Sequence, residues 1–356
     1  MPKIKVLHVL TNSDWEIAGA ELLSLFDNCE QPFTIMALVP EGSGVTQILF
    51  QRGIAVGCYD ATSPSLRKKI KIIKKAIRKV RPDIVHTHTS LHARVAAYLA
   101  RVPIRVHTQH AIVNFGFFSK WFNSRLSNLI VATTESIRTN LRKNGVPSKK
   151  LRVVYHGVPQ ATESVKEKQQ LLRTQLNIPQ NAFVAVSFEH LSETYNYVLD
   201  TARELPYNVF IVLAGRDGGF RNKLEKRIEK ENLQNVRIIS NALDIVGILS
   251  IADVQLNVSE TLGIAQASLF LGMSLGKPIV TTDIEIAKLT ETENSSILSI
   301  PPNSINALDD AITRLKDDRH LYDNLSKNTK ANYRKSFTSG LMAKEIIKIY
   351  RQLTGR

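Results

Sequence analysis

Cysteine is nearly absent: Cys29 and Cys58 are the only two in 356 residues. Two isolated thiols exclude a disulfide framework and point to a reducing compartment. No run approaches the roughly 18 apolar residues that a transmembrane helix needs. The apolar start, Met1–Leu10, is short, carries Lys3 and Lys5 and alternates in type. That is the pattern of a buried first strand rather than of a signal peptide. Aromatic residues make up only 7%. No cluster of exposed aromatics, helix-turn-helix, zinc or RNA-recognition signature is present, so nucleic acid is not an expected partner. A G-x-G-x-x-G fingerprint is missing as well, which leaves nicotinamide dinucleotide binding unsupported.

What is present is a soluble composition, 43% hydrophobic and 22% charged, in a chain long enough for two domains. The net charge is +15. Residues 1–160 hold 23 Lys and Arg against 9 Asp and Glu, while the remainder holds 24 against 23. The excess therefore sits in the N-terminal half, which predicts an anionic partner there, such as a lipid surface or a phosphate-bearing acceptor.

Apolar β-rich runs alternate with helical patterns throughout. Lys3–Leu10, Phe33–Val39, Ile54–Tyr59, Asp83–His88, Arg105–Gln109, Leu129–Thr133 and Leu151–Tyr155 read as strands, with helices over Glu21–Phe26, Leu66–Val80, Ser90–Arg101 and Glu135–Lys143. The pattern breaks near His156-Gly157-Val158-Pro159, and the polar stretch Glu163–Gln170 reads as a linker. Alternation then restarts with strands at Ala182–Phe188, Val209–Ala214, Val236–Ser240, Val254–Val258, Pro278–Thr282 and Ser296–Ile300. Helices at Arg221–Glu231 and Ile264–Ser274 lie between them, and Gly340–Leu353 reads as a last amphipathic helix. The fold class is α/β: two parallel-sheet, Rossmann-like domains, residues 1–160 and 161–338, followed by a C-terminal helix, 339–356. Such sheets bind ligands at the carboxyl ends of their strands.

Two segments at those ends and one basic helix carry chemistry. After the first strand, Ala18-Gly19-Ala20-Glu21 reads as a small-residue loop leading into a helix, where free N–H groups favour anions; a tight strand-to-helix turn explains it as well. His86 and His88 project to one face at the end of the fourth strand, and His110 lies just past the tip of the fifth. These histidines could hydrogen-bond sugar hydroxyls and phosphate oxygens, or bind a metal, since H-x-H is a ligand spacing. No Asp or Glu ligand accompanies them in sequence, so a metal ranks lower. The third segment, Leu66–Arg81, holds nine basic residues and no acid, with Leu66, Ile70, Ile73, Ile77 and Val80 on one face. Lys68, Lys69, Lys71, Lys74 and Lys75 are candidates for docking on an anionic membrane, each contributing about 1 kcal/mol. An ordinary solvated helix face is the alternative.

In this order and spacing the motifs resemble the glycosyltransferase family four group of GT-B enzymes. Ala18–Glu21 is similar to that family's Gly-Gly-Ala-Glu loop, Asp83–His88 to its Asp-Val-Val-His-x-His strand end, and His110 to its Thr-x-His element. Tyr155–Val158 is similar to its Asn-Gly-Val hinge, Leu213-Ala214-Gly215 to its glycine after a central strand, and Gly272–Val280 to its Ala-Met-Ala-x-Gly-x-Pro-Val-Val segment. The resemblance implies a GT-B fold with two domains facing a central cleft. It also implies transfer of a sugar from a UDP- or GDP-linked nucleotide-sugar, with retention of configuration and no required metal or cofactor. The first domain would hold the acceptor, with Gly19, Ala20, Glu21, His86 and His88 on that side and His110 as the catalytic candidate. The second would hold the donor.

The donor side departs from the family. Its Gly-Arg-Leu-x-x-x-Lys-Gly stretch is here Glu189–Asn196, so that His190 stands for the arginine and Tyr195 for the lysine. Its Glu-x7-Glu pair falls on Gly263 and Leu271, with Glu260 three residues before the first. A reaction that builds charge on a leaving diphosphate needs fixed cations, and losing one commonly costs about 100-fold in rate. Gly215, Arg216, Glu260, Gly263, His190 and Tyr195 are the donor-binding candidates. Two readings follow: a glycosyltransferase acting on a lipid-linked or cell-surface glycan acceptor at the cytoplasmic face of the membrane, or an inactive pseudo-glycosyltransferase that supports an active partner glycosyltransferase.

Overall fold

The computed structural model describes residues 3–11, 15–29, 31–88, 90–112, 124–162, 164, 166–241, 244–258, 264–282, 285, 287–288 and 296–355, with all their side chains except those of 15–18, 20 and 264–266. The chain divides into two compact units, Met1–Val158 with Ser339–Arg356, and Pro159–Thr338. The C-terminal helix, set apart in sequence as a segment of its own, thus belongs with the first unit.

The first unit is a seven-stranded sheet in the order β3-β2-β1-β4-β5-β6-β7. Its strands are β1 Ile4–Val9, β2 Phe33–Pro40, β3 Ala55–Tyr59, β4 Ile84–His88, β5 Ile104–Gln109, β6 Leu129–Ala132 and β7 Leu151–Val153. All pairings are parallel. A parallel sheet is covered on both faces, which is why β4 is buried at every position, histidines included. Helices α1 Trp15–Asp27 and α2 Val45–Gln51 pack with one face. Helices α3 Leu66–Val80 and α4 Leu91–Leu99 cover the other, with α5 Glu135–Lys143 beyond. The order of strands reverses direction between β1 and β4, and such switch points open the crevice in which open α/β sheets take ligands.

The second unit repeats the plan with six parallel strands in the order β10-β9-β8-β11-β12-β13. These are β8 Phe183–Phe188, β9 Val209–Gly215, β10 Val236–Ser240, β11 Val254–Asn257, β12 Ile279–Thr281 and β13 Ile297–Ser299. Around them lie α6 Lys166–Gln175, α7 Tyr195–Glu204, α8 Arg221–Lys230, α9 Ile245–Ser250, α10 Ile264–Leu275, α11 Ile305–Asp317 and α12 Arg319–Ser336. The stretch expected to be a linker in fact enters a helix at Lys166. That helix, α6, buries no residue fully, so its sequence lacks the apolar stripe that would announce it.

The last helix, α13 Ser339–Thr354, returns to the first unit. Met342, Ala343, Ile346, Ile347, Ile349 and Tyr350 join Ile4, Leu22, Leu25 and Phe33 in one core. Trp15 opens α1 of this unit, so its fluorescence reports on the unit's unfolding. Ile346→Ala should lower the unit's stability by about 2–4 kcal/mol through the cavity it leaves, read from urea unfolding followed by tryptophan emission.

Candidate functional site

The register of the first sheet assembles the site. His8 on β1 pairs with His86 on β4, and His88 pairs with Thr108 on β5. Residues two apart share a face, so His8, His86, His88 and Thr108 converge on one side of the carboxyl edge, with His110 continuing past β5. His107 and Thr87 fall on the opposite face, where Thr87 Oγ1 lies 3.0 Å from His107 Nδ1.

The converging side chains form one hydrogen-bonded row. His8 Nδ1 lies 3.1 Å from His88 Nε2, His88 Nδ1 lies 3.2 Å from His110 Nε2, and His110 Nδ1 lies 3.0 Å from His156 Nε2. The ring planes of these successive pairs are 25°, 16° and 6° from parallel. At the other end, the Tyr350 hydroxyl of α13 sits 3.1 Å from His8 Nε2 and 2.6 Å from His86 Nδ1. His86 Nε2 lies 2.7 Å from Thr108 Oγ1, which is 3.4 Å from Glu21 Oε1.

Glu21 was expected in a loop beside the acceptor. Instead Gly19, Ala20 and Glu21 lie inside α1, Gly19 is buried, and Glu21 turns inward with its carboxylate 3.9 Å from His88 Nδ1. The row therefore has the acidic companion that the sequence did not reveal. Glu21, His88 and His110 stand close enough to share an ion, as do His8, His86 and His88. Yet both ring nitrogens of His8, His86, His88 and His110 are already engaged in hydrogen bonds. A ligating imidazole needs a free lone pair, so the geometry is that of a hydrogen-bonded row.

His8, Thr108, His156 and Tyr350 are members that sequence reasoning did not place at the site. His8 carries a signal once the strand order is known, because it occupies on β1 the level that His86 occupies on β4. Tyr350 carries none, being 264 residues from its partner.

Burial sets the electrostatics. It pushes His8 down to about 3 and His156 down to about 4, and it holds His86, His88, His107 and His110 well below the ordinary imidazole range, with neighbouring histidines or Arg94 adding to the effect. Burial also raises Glu21 to about 8 against the opposing Thr108 hydrogen bond, and raises Tyr350 well above 10. At neutral pH the row is uncharged from end to end.

In the second unit, His190, Gly215 and Arg216 do meet at the carboxyl ends of adjacent strands. Leu191 bridges Asp217, its N–H donating to the Arg216 carbonyl at 3.0 Å. Gly215 has φ +144°, and a Cβ there would stand 1.7 Å from the Glu189 carbonyl oxygen, so the close approach of the β8 and β9 loops requires glycine. Arg216 is exposed and His190 half-buried. Tyr195, a donor-binding candidate, is corrected: it is fully buried in the core, with its hydroxyl 2.8 Å from Ser187 Oγ. As the first residue of α7 it points into the sheet rather than past its edge. Glu189 is buried beside it. Glu260 and Gly263 lie outside the described residues.

The basic helix α3 begins at Ser65, whose side chain caps it, and buries Ile73 and Ile77. Lys68, Lys71 and Lys75 are exposed, and Lys69 and Lys74 half-buried. Among the described residues none of these five forms an ion pair.

The shifts fix how the first unit responds to pH. Below about 6.5 the unfolded chain takes up protons on six histidines that the folded unit refuses, so stability present above 6.5 is lost as pH falls. Glu21 acts oppositely: its contribution is present below about 4.5 and is lost as pH rises to about 8. Each group contributes about 1.4 kcal/mol per pH unit. Tryptophan-monitored urea unfolding should therefore show greatest stability at about pH 7, a steep fall below 6.5 and a shallow fall from about 7 to 8. The shallow fall should be missing in Glu21→Gln.

Comparison with known proteins places this geometry. The sequence matches Glycosyltransferase Family 4 over residues 39–161 and Glycosyl transferases group 1 over residues 168–332. It is 28% identical over 304 residues to the UDP-Gal:alpha-D-GlcNAc-diphosphoundecaprenol alpha-1,3-galactosyltransferase of Escherichia coli, covering 74% of this chain and 76% of that protein. In fold it resembles HepE of Anabaena, solved with UDP and glucose, with a TM-score of 0.82 at 19% identity over 98% of this chain and 100% of that one. A glycosyltransferase from Rickettsia africae also has a TM-score of 0.82, at 17% identity over 99% of both chains. Two family matches in their expected order, on two parallel sheets that each switch direction beside their site, make this chain a member of the GT-B, family 4-like glycosyltransferases.

Proposed function

We propose that this protein transfers a sugar, with retention of configuration, from a nucleotide-sugar to a lipid-linked glycan acceptor at an anionic membrane surface. The observation that carries the reading is the similarity to the Escherichia coli galactosyltransferase over three quarters of each chain, because that enzyme's name specifies both a UDP-sugar donor and a diphosphoundecaprenol acceptor. HepE, of similar fold, was solved with UDP. The second unit would take the nucleotide at the ends of β8 and β9, with Arg216 and His190 nearest the diphosphate. The first unit would take the acceptor, with His110 next to His156 at the outer end of the buried row. No metal or other cofactor is assigned a part in this reading.

Membrane docking rests on α3, which presents unpaired lysines outward while its isoleucines anchor it to the sheet. Among the described residues no helix is long and apolar enough to cross a membrane, so attachment through this basic face would be peripheral, on the cytoplasmic side.

One observation favours a second reading. Where family members carry the lysine that neutralises the leaving diphosphate, Tyr195 is locked in the core, and two carboxylates, Glu189 and Glu193, have entered the same stretch. A pseudo-glycosyltransferase that binds and supports an active partner enzyme would tolerate such a pocket.

Calorimetric titration of the purified protein with UDP, GDP and their common sugar conjugates separates the two. Binding at micromolar strength, about −8 kcal/mol, is expected for the transferase; no binding to any of them would select the pseudoenzyme. Replacing Lys68, Lys69, Lys71, Lys74 and Lys75 by Gln should weaken binding to anionic vesicles by about 100-fold, since the three exposed lysines alone contribute about 1 kcal/mol each. Unchanged vesicle partition would sink the docking assignment.

A further inference from the structure

The row from Glu21 to His156 has a property that its individual hydrogen bonds do not. A neutral imidazole owns one N–H and one lone pair. Each link of the row joins Nδ1 of one ring to Nε2 of the next, so the choice made at one ring dictates the choice at its neighbour. Tyr350 and Thr108 obey the same restriction, because each hydroxyl has a single proton and stands between two row partners.

Only two complete arrangements satisfy every link. In one, Glu21 donates to Thr108, Thr108 to His86 Nε2, His86 Nδ1–H to Tyr350, and Tyr350 to His8 Nε2. His8, His88 and His110 then each donate from Nδ1 to the next ring, and His156 carries its proton on Nδ1. In the other, every donor is reversed: His156 Nε2–H donates to His110, the rings donate from Nε2 back to Tyr350, Tyr350 donates to His86 Nδ1, His86 Nε2–H to Thr108, and Thr108 to Glu21. The first requires a protonated Glu21 carboxyl, and an ionised Glu21 permits only the second.

We propose that these seven side chains and Glu21 form a proton relay, in which a proton accepted at His156 Nδ1 is stored on Glu21 by reversal of the whole row. The step balances. His156 gains a proton on Nδ1 and passes its Nε2 proton to His110 Nδ1. Each ring hands on its Nε2 proton in turn, Tyr350 passes one to His86, Thr108 passes one to Glu21, and no charge is left on any ring. Glu21 and Tyr350 are thereby positioning residues, setting which nitrogen of His110 carries its proton.

The gradient of burial gives the relay an inside and an outside. His8, His86 and His88 are completely buried and Glu21 is 2% exposed, whereas His110 and His156 retain 6% and 5%. No described residue hydrogen-bonds Nδ1 of His156, which leaves that nitrogen as the port. The groups that face Glu21 are Thr108 and His110 from β5 and its end, His88 from β4 and Tyr350 from α13. Its protonation is therefore read by neutral partners on every side. The use of the relay rests on the transferase reading, since sugar transfer releases the proton of the acceptor hydroxyl; its existence does not.

Histidine-selective 15N NMR of the full-length chain between pH 6 and 9 tests it without any substrate, so a failed transferase assay and a failed relay remain distinguishable. His8, His86, His88, His110 and His156 should move together from the Nδ1–H to the Nε2–H form with one shared midpoint near the Glu21 value of about 8. Glu21→Gln should abolish the change in all five rings. Thr108→Val should do the same while keeping the volume of the site. Tyr350→Phe should leave His86 responsive and silence the four rings beyond it. Cooperative tryptophan-monitored unfolding certifies that each variant is folded, and any one cut of the row suffices. Five independent midpoints, no tautomer change over the range, or a collective change that survives a folded Thr108→Val protein would overturn the relay. So would stoichiometric Zn2+ uptake that removes the N–H signals, because an ion would then hold the lone pairs.

Discussion

A neutral imidazole can satisfy one donor and one acceptor, and burial in the first unit enforces that neutrality on a whole set of imidazoles at once. Charging any of them would place a cation in a low-dielectric interior beside other rings, a cost that burial makes large. Among the described residues, the five rings of the row hydrogen-bond only one another and the hydroxyls of Thr108 and Tyr350, and they line up because the sheet spaces them. Adjacent strands lie about 4.8 Å apart, and an imidazole bridges that gap diagonally when the next strand offers one two residues beyond its register partner, as His88 stands beyond His86 and His110 beyond Thr108. His8, His88 and His110 do so across β1, β4 and the end of β5, at the point where the sheet reverses its winding.

Closure of that edge depends on helices from both extremes of the chain. Glu21 comes from α1, directly after the first strand. Tyr350 comes from α13, reached only after the entire second unit has been traversed. The Tyr350 ring packs against Phe33 in the core while its hydroxyl reaches His8 and His86. One residue thus serves apolar packing and polar continuity together. That combination explains why the last helix carries an apolar stripe aimed at the first sheet although the preceding 180 residues belong to the other unit.

How much of this could be read from sequence follows from the range of the interactions involved. Strands announced themselves through β-branched apolar runs. Helix α3 was legible residue for residue, because a lysine-rich segment with isoleucine at helical spacing has no other way to bury its apolar face. The first half of helix α6 fell within Glu163–Gln170, taken for a linker, since Lys166–Gln175 buries nothing completely and offers no stripe. His86, His88 and His110 stood out through spacing along single strands. Glu21 was expected in a loop rather than inside α1, and the hydrogen bond that it accepts within the site spans 87 residues. Local pattern specifies which elements form. Which side chains meet is decided by strand order, and strand order is a long-range property.

The two units answer opposite electrostatic demands with the same architecture. At the edge of the first sheet, burial removes charge and leaves a network in which only protons can move. At the edge of the second, a departing diphosphate would require charge to be kept, and kept positive. There the β8 loop has withdrawn Tyr195 into the core and buried Glu189 behind the strand, while Gly215 lets the β9 loop bring Arg216 alongside at the exposed edge. A guanidinium carries its charge at any physiological pH and offers a planar fork that matches phosphate oxygens. In the proposed transferase, a single arginine delivered from β9 would supply part of what an arginine and a lysine delivered from β8 supply in the family's pattern. Its cost is that the cation stands on a loop whose path is fixed by one glycine, so that a side chain at position 215 would displace the Arg216 backbone and the Glu189 carbonyl together.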